Sequence, residues 1–319
     1  MRVLILGGTG FVGTHLARAC IEAGDETFVA SRSAGRVVRN LALDAHVARL
    51  TADVTDEPSL VAAVAAARPD RIFHLAGHAS VSASFGSEEE ILRTNVLGTL
   101  HALRAAREKA PHARFLYVGS AEEYGHSENQ PLREDEPLRP LTPYGVSRAS
   151  ASLIALRFAL AEKLHVVRTR SFNHTGPGQA RTYAAPSFAH QVIEARARGE
   201  RRFAVSVGDL TVRRDFAGVS AVVRAYRALL EKGTSGEVYN VCSGVALSLE
   251  ELLRRIGALA GVEPLPRPDP ALVRRVDVPV LHGDPSRLEA TVGFSLRSSL
   301  EEDLRALVAS LAPGIPPRS

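Results

Sequence analysis

The chain has 319 residues, 45% of them apolar and 23% charged. That composition suits one large globular domain or two smaller ones sharing an interface. Its 39 basic and 35 acidic residues are interleaved, for a net charge of +4, so no basic stripe marks a nucleic-acid surface. Two distant cysteines, Cys20 and Cys242, exclude a disulfide framework or a C-x-x-C metal site and are expected as core fillers in a reducing, cytoplasmic setting. No window approaches the roughly 18 apolar residues of a membrane helix.

The opening run, residues 3–6, is too short for a secretory leader and is expected as a strand. Helical spacing follows over 11–23. Strands are expected at 27–30 and 47–50, a helix at 57–67, a strand at 71–75, a long helix at 88–109 and a strand at 114–118. A helix over 144–163 and a strand over 166–169 continue the alternation. Strands alternating with helices imply right-handed crossovers, hence an α/β, doubly wound parallel sheet of the Rossmann type.

After Phe172 the pattern changes. Residues 173–179 carry loop chemistry, helices are expected at 188–198, 219–232, 249–260 and 298–311, and 264–270 and 313–319 are Pro-rich. These observations imply a smaller mixed α/β unit interleaved with the first. The expected division is 1–172 with 213–242 against 173–212 with 243–319.

Gly7, Gly10 and Gly13 lie between the first strand and the first helix, in the run Gly7-Gly8-Thr9-Gly10-Phe11-Val12-Gly13. Gly7 permits a tight turn, Gly10 a close approach of backbone to a pyrophosphate, and Gly13 close packing of helix on strand. The helix N-terminus then presents free N–H groups to the phosphates. The second strand ends at Ser31-Arg32, where an acidic residue would grip a ribose 2′-hydroxyl. Ser31, Arg32 and the nearby Arg36 favour NADP over NAD, with NAD(H) the alternative.

Ser120 follows the strand at 114–118, at the edge where doubly wound folds place their chemistry, and Tyr144 opens a helix 24 residues later. A tyrosine hydroxyl can supply the proton that a ketone needs on reduction, and a serine can donate to the same oxygen. A free tyrosine ionises near pH 10, and a cation beside it favours the anion. Arg148 stands one helical turn on, in the i,i+4 position.

The run Tyr144-Gly145-Val146-Ser147-Arg148 resembles the Tyr-x-x-x-Lys pair of the short-chain dehydrogenase/reductases, with arginine in place of lysine. Segments 119–125, 169–179, 207–209 with 214–216, and 238–244 resemble the extended members of that superfamily that act on nucleotide sugars, above all GDP-4-keto-6-deoxy-D-mannose reductases. The resemblance implies NAD(P)H-dependent reduction of a 4-keto group, giving GDP-D-rhamnose. It implies Asp53 and Val54 at the adenine, and Leu75, Ala76 and Gly77 over the ribose and phosphates. It implies that Ser80, Asn173, Arg214, Arg274 and Asp277 hold the nucleotide sugar. It also implies a homodimer formed through 88–109 and 144–163.

Glu122, two residues after Ser120, matches the proton-abstracting acid of nucleotide-sugar 4,6-dehydratases, although Ala121 offers no second polar group beside it. A dehydratase, an epimerase or reductase on another nucleotide sugar, and a catalytically weak dinucleotide-binding protein carrying Arg148 therefore stay open.

Overall fold

A computed structural model describes residues 1–32, 47–81, 84–273 and 276–312. The first half runs β1 (Arg2–Leu6), α1 (Phe11–Glu22), β2 (Glu26–Ser31), β3 (Val47–Thr51), α2 (Glu57–Ala67), β4 (Arg71–His74), α3 (Glu88–Leu92), α4 (Gly98–Lys109), β5 (Arg114–Ser120), α5 (Pro143–Ala161) and β6 (Val166–Ser171). The second half runs β7 (Asn173–Thr175), α6 (Ala184–Ala197), β8 (Arg202–Val207), β9 (Arg213–Gly218), α7 (Val219–Lys232), β10 (Val238–Val241), β11 (Ala246–Ser248), α8 (Leu249–Ala260), β12 (Glu263–Pro268), β13 (Val280–Leu281), α9 (Ser286–Val292) and α10 (Ser299–Leu311).

Seven parallel strands form the main sheet in the order β3-β2-β1-β4-β5-β6-β10. Both faces are covered, so β1 is apolar without alternation, as a doubly buried parallel strand should be. Val3 and Ile5 pack towards α1, α7 and α9, meeting Leu16, Val222 and Leu288. Leu4 and Leu6 pack towards α2, α4 and α5, meeting Leu60, Leu103 and Phe158. Cys20 is buried in the first of these layers and Cys242 in a smaller cluster with Phe172 and Tyr124. Strand order reverses between β1 and β4, which opens a crevice at their carboxyl ends.

The second unit packs α6, α8 and α10 around β8, with Phe188, Val192, Val205, Ile256 and Leu304 in its core. β9 is the hinge of a small sheet, pairing β11, β13 and β7.

Three local expectations are revised. Residues 173–175, expected as loop, form β7 against β9. The Pro-rich stretch forms β12, parallel to β8. Pro264, Pro266 and Pro268 alternate, so every missing N–H falls on the same edge. Glu263 and Asp269, of the other parity, donate their N–H groups to the carbonyls of Arg201, just before β8, and of Val207, its last residue. Prolines are tolerated at that outer edge because no ladder bond is lost there. The long helix at 88–109 is broken by a π-helical turn, Arg93–Leu97. Such turns often mark functional sites, and this one aims Asn95 inward.

Candidate active site

The glycine run closes tightly over the carboxyl end of β1. Gly7 adopts φ +82° and donates its N–H to Ala30 at 2.8 Å. A Cβ at Gly7 would lie 2.8 Å from the Ala76 backbone, and one at Gly13 would overlap the Gly7 carbonyl oxygen. The loop can therefore fold this tightly only while these positions lack side chains. Gly10 caps α1 with no side-chain hydrogen bond, and no acidic residue occupies the first turn. The helix dipole and its N–H groups are left for an anion, as a pyrophosphate site requires.

Thr9, Phe11 and Val12 lie on this run. Phe11 stacks on His174 with ring centroids 6.1 Å apart, and His15 Nε2 shares a hydrogen bond with the Pro177 carbonyl at 2.8 Å. These contacts dock residues 173–179 beside the glycine loop. Ser31 ends β2 half-buried and Arg32 is exposed beyond it. Arg36 lies outside the described residues, as does Arg274. Asp53 accepts from the Thr55 N–H at 2.9 Å and its hydroxyl at 2.8 Å, and Val54 beside it is buried.

The crevice's other wall is built where α5 begins. Thr142 caps that helix, accepting from Gly145 N–H at 3.0 Å, and Pro143 starts it. A Cβ at Gly145 would lie 2.5 Å from the Glu122 carbonyl oxygen, so α5 abuts the turn Ala121–Glu123 directly. This approach brings Tyr144 and Ser120 into one corner. Both are largely buried, at 7% and 9% exposure. Glu122 is half-buried on the same turn.

Arg148, 5% exposed, places its guanidinium carbon 5.3 Å from the Tyr144 ring centroid. Its Nη1 donates to the Val118 carbonyl at 3.3 Å and its Nη2 to the His78 carbonyl at 3.1 Å. The cation therefore ties the end of β5 to the loop after β4. Leu75, Ala76 and Gly77 begin that loop. Gly77 is forced to be glycine, since at φ +152° a Cβ would lie 2.6 Å from Asn95 Oδ1 and 3.0 Å from Arg148 Nη2.

Asn95 is a residue that sequence reasoning missed. Its Oδ1 accepts from His78 N–H at 2.8 Å, and its Nδ2 donates to Ser147 Oγ at 2.9 Å. It thus joins the β4 loop to α5. A polar residue on an otherwise apolar helical pattern was the available signal.

Glu123 was missed as well. It is fully buried, and its Oε2 pairs with Arg170 Nε at 3.3 Å. Burial pushes its carboxyl up to about 7, against the pull of Arg170.

The sugar-side candidates fall on the small sheet. Asn173 lies on β7, paired with Phe216 of β9, and Arg214 lies two residues earlier on β9. Arg214 is buried and ion-paired with Asp277. Ser80 sits half-buried beyond the Gly77 loop.

A seven-stranded parallel sheet with a glycine loop at its switch point and a Ser/Tyr corner beside it defines an extended short-chain dehydrogenase/reductase. The family model for GDP-mannose 4,6 dehydratase matches residues 4–307, and the chain belongs to that family. It is 35% identical over 243 residues to the GDP-6-deoxy-D-mannose reductase of Pseudomonas aeruginosa, covering 76% of this chain and 80% of that protein. It is 31% identical over 320 residues to a dTDP-glucose 4,6-dehydratase of Streptomyces griseus, covering 96% and 93%. The solved structure of RMD from Pseudomonas aeruginosa complexed with NADPH superposes with a TM-score of 0.82 at 30% identity, over 99% of this chain and all of that one.

Proposed function

We propose that the protein is an NAD(P)H-dependent oxidoreductase that reduces the 4-keto group of a nucleotide-activated 6-deoxy-4-keto sugar, GDP-4-keto-6-deoxy-D-mannose, to GDP-D-rhamnose. The observation that carries this reading is the corner where α5 meets the turn at Ala121–Glu123, which presents Ser120 and Tyr144 together beside the glycine cradle. The similarity to a GDP-6-deoxy-D-mannose reductase over most of both chains supports the substrate. NADP is the favoured cofactor: Ser31 and Arg32 replace the acid that would bind a 2′-hydroxyl, and a related structure carries NADPH.

Bound in the cradle, the reduced nicotinamide supplies hydride. Tyr144 gives its hydroxyl proton to the carbonyl oxygen, and Ser120 donates a hydrogen bond to the same atom, stabilising the alkoxide as it forms. Arg148 provides the cation beside Tyr144. Gly7, Thr9, Gly10, Phe11, Val12 and Gly13 hold the pyrophosphate. Asp53 and Val54 take the adenine side, and Leu75 to Gly77 lie along the ribose. Ser80, Glu122, Asn173, Arg214, Arg274 and Asp277 hold the sugar nucleotide. Residues 1–172 with 213–242 form the dinucleotide unit, and 173–212 with 243–319 the sugar-nucleotide unit.

The protein works as a cytoplasmic homodimer in this reading. Leu92 and Leu97 of the α3–α4 segment are exposed at 42% and 46%, and Val146, Leu153 and Leu160 of α5 at 43%, 58% and 71%. The α5 residues recur every seven positions, which lays them along one stripe suited to a partner helix. Among the described residues, no helix is long and apolar enough to cross a membrane.

The test is incubation with GDP-4-keto-6-deoxy-D-mannose and NADPH or NADH, with the product identified. One cofactor oxidised per GDP-D-rhamnose formed is the expected result. Conversion of a 4-hydroxy nucleotide sugar with no net cofactor consumption would instead identify a 4,6-dehydratase.

A further inference from the structure

Ser120 is held from below by the fully buried carboxylate of Glu123. Glu123 Oε1 accepts the Ser120 N–H at 3.0 Å, and Glu123 Oε2 accepts from Arg170 Nε at 3.3 Å. Arg170, itself 5% exposed, donates from Nη1 to the Glu134 carbonyl at 2.9 Å and lies 4.5 Å from the Tyr124 ring. The fit is tight enough that a Cβ at Gly119 would overlap Glu123 Oε1.

The Ser120 side chain is constrained in the same turn. Its Oγ accepts the Glu122 N–H at 3.2 Å. A hydroxyl has one hydrogen to give and two lone pairs. With one lone pair bound to Glu122 N–H, the hydroxyl hydrogen remains to be donated elsewhere.

A buried ion pair is an expensive way to cap a three-residue turn. Desolvating the two charges costs several kcal/mol per ion. The carboxylate alone has one oxygen for the Ser120 N–H and a second for Arg170, where a glutamine would turn its amide nitrogen to one of them. The expense falls directly beneath the serine of the Ser120–Tyr144 corner. We infer that Glu123, clamped by Arg170, is a positioning residue for the reduction: it fixes the Ser120 main chain so that the Ser120 hydroxyl donates to the substrate's carbonyl oxygen. This inference rests on the ketoreductase reading above.

The charged and titratable groups facing Glu123 are Arg170 and Arg168 of β6, Arg148 of α5 and Tyr117 of β5. Burial raises the Glu123 carboxyl to about 7, against the pull of the Arg170 and Arg148 cations. That gives the positioning a pH signature.

The experiment is a double-mutant cycle with Glu123→Gln and Ser120→Ala, read as kcat, as NADPH affinity and as the pH dependence of the Ser120 amide shift by NMR. Glu123→Gln alone should lower kcat about tenfold to a hundredfold, the range of a misplaced reacting group, with NADPH affinity changed by less than about twofold. In the Ser120→Ala background the same substitution should cost nothing further. Full additivity of the two losses would overturn the inference.

The NMR arm needs neither turnover nor a folded variant. In the wild type the Ser120 amide shift should follow the titration of the Glu123 carboxyl, expected near pH 7. A carboxyl that titrates with no response at the Ser120 amide would overturn the placement. Should the amide titrate while the wild type leaves the ketone unreduced, the ketoreductase reading fails and the hold of Glu123 on Ser120 stands.

Discussion

Arg148 Nη2 donates to the His78 carbonyl oxygen at 3.1 Å, so the cation beside Tyr144 also braces the loop that follows β4. Nη1 reaches the Val118 carbonyl at 3.3 Å from the same guanidinium. A lysine ammonium at this position is a single point charge on a flexible stem and cannot span both carbonyls. Arg148→Lys is therefore expected to keep kcat within about tenfold, since the charge stays. It should lower the melting temperature by about 1–2 °C for a lost hydrogen bond of about 1 kcal/mol. Arg148→Met, which removes the charge, should lower kcat by at least about a hundredfold. Steady-state kinetics and thermal melts on the two variants separate the roles. Equal kcat for lysine and methionine would show that the charge takes no part.

Tyr144→Phe tests the proton donor itself. Phenylalanine keeps the ring against Arg148 and removes only the hydroxyl. The expected loss is about 10²- to 10⁴-fold in kcat, the usual worth of a general acid, with NADPH binding nearly unchanged by fluorescence titration. Wild-type turnover in this variant would remove Tyr144 from its assigned role.

Gly13→Ala tests the cradle. An added Cβ would overlap the Gly7 carbonyl oxygen and lie 2.6 Å from Gly8 Cα, both backbone atoms that cannot rotate away. The glycine loop must shift, and the cofactor affinity should fall at least about tenfold, equivalent to roughly 1.4 kcal/mol. Unchanged NADPH affinity would mean that the dinucleotide binds elsewhere.

The first half of the fold was readable because its strands are buried on both faces. Continuous apolar runs such as Val3–Leu6 announce themselves without reference to any partner. β7 and β12 did not, because their pairing to β9 and β8 is decided by residues far along the chain. The prolines of β12 even argue against a strand until its outer edge is known to be open. Of the candidate residues, Ser120, Tyr144 and Arg148 could be singled out by spacing and side-chain chemistry, and they lie at the end of β5 and the start of α5, where those elements meet. Glu122 and Glu123 are indistinguishable by type, and only packing shows that the second is the buried one. Asn95, Arg170 and Glu123 escaped for one reason. A charged or polar residue in a sequence reads as solvated, and its burial depends on a partner the sequence does not name.

His74 makes the fold sensitive to acid. It is fully buried in β4, with Nε2 sharing a hydrogen bond with Thr99 Oγ1 at 3.0 Å. Burial first, and the Arg148 cation second, bring it down to about 3 from the ordinary 6.5. The folded protein therefore keeps His74 neutral where the unfolded chain would take up a proton. Its contribution is fully present above pH 6.5 and is lost as pH falls through that value towards about 3. This group alone accounts for up to about 4 kcal/mol across the window. His15 and His174 are lowered by burial too, and add in the same direction. In denaturant melts at steps of pH the His74 share should fall below about pH 6.5, while Glu123, raised to about 7, adds stability as pH drops from there towards 4.5. His74 is therefore read from the difference between wild type and a variant. His74→Gln keeps a neutral partner for Thr99 and cannot be protonated. It should be less stable than wild type at neutral pH and show a shallower fall in acid. Parallel curves for the two proteins would remove His74 as a source of the acid sensitivity.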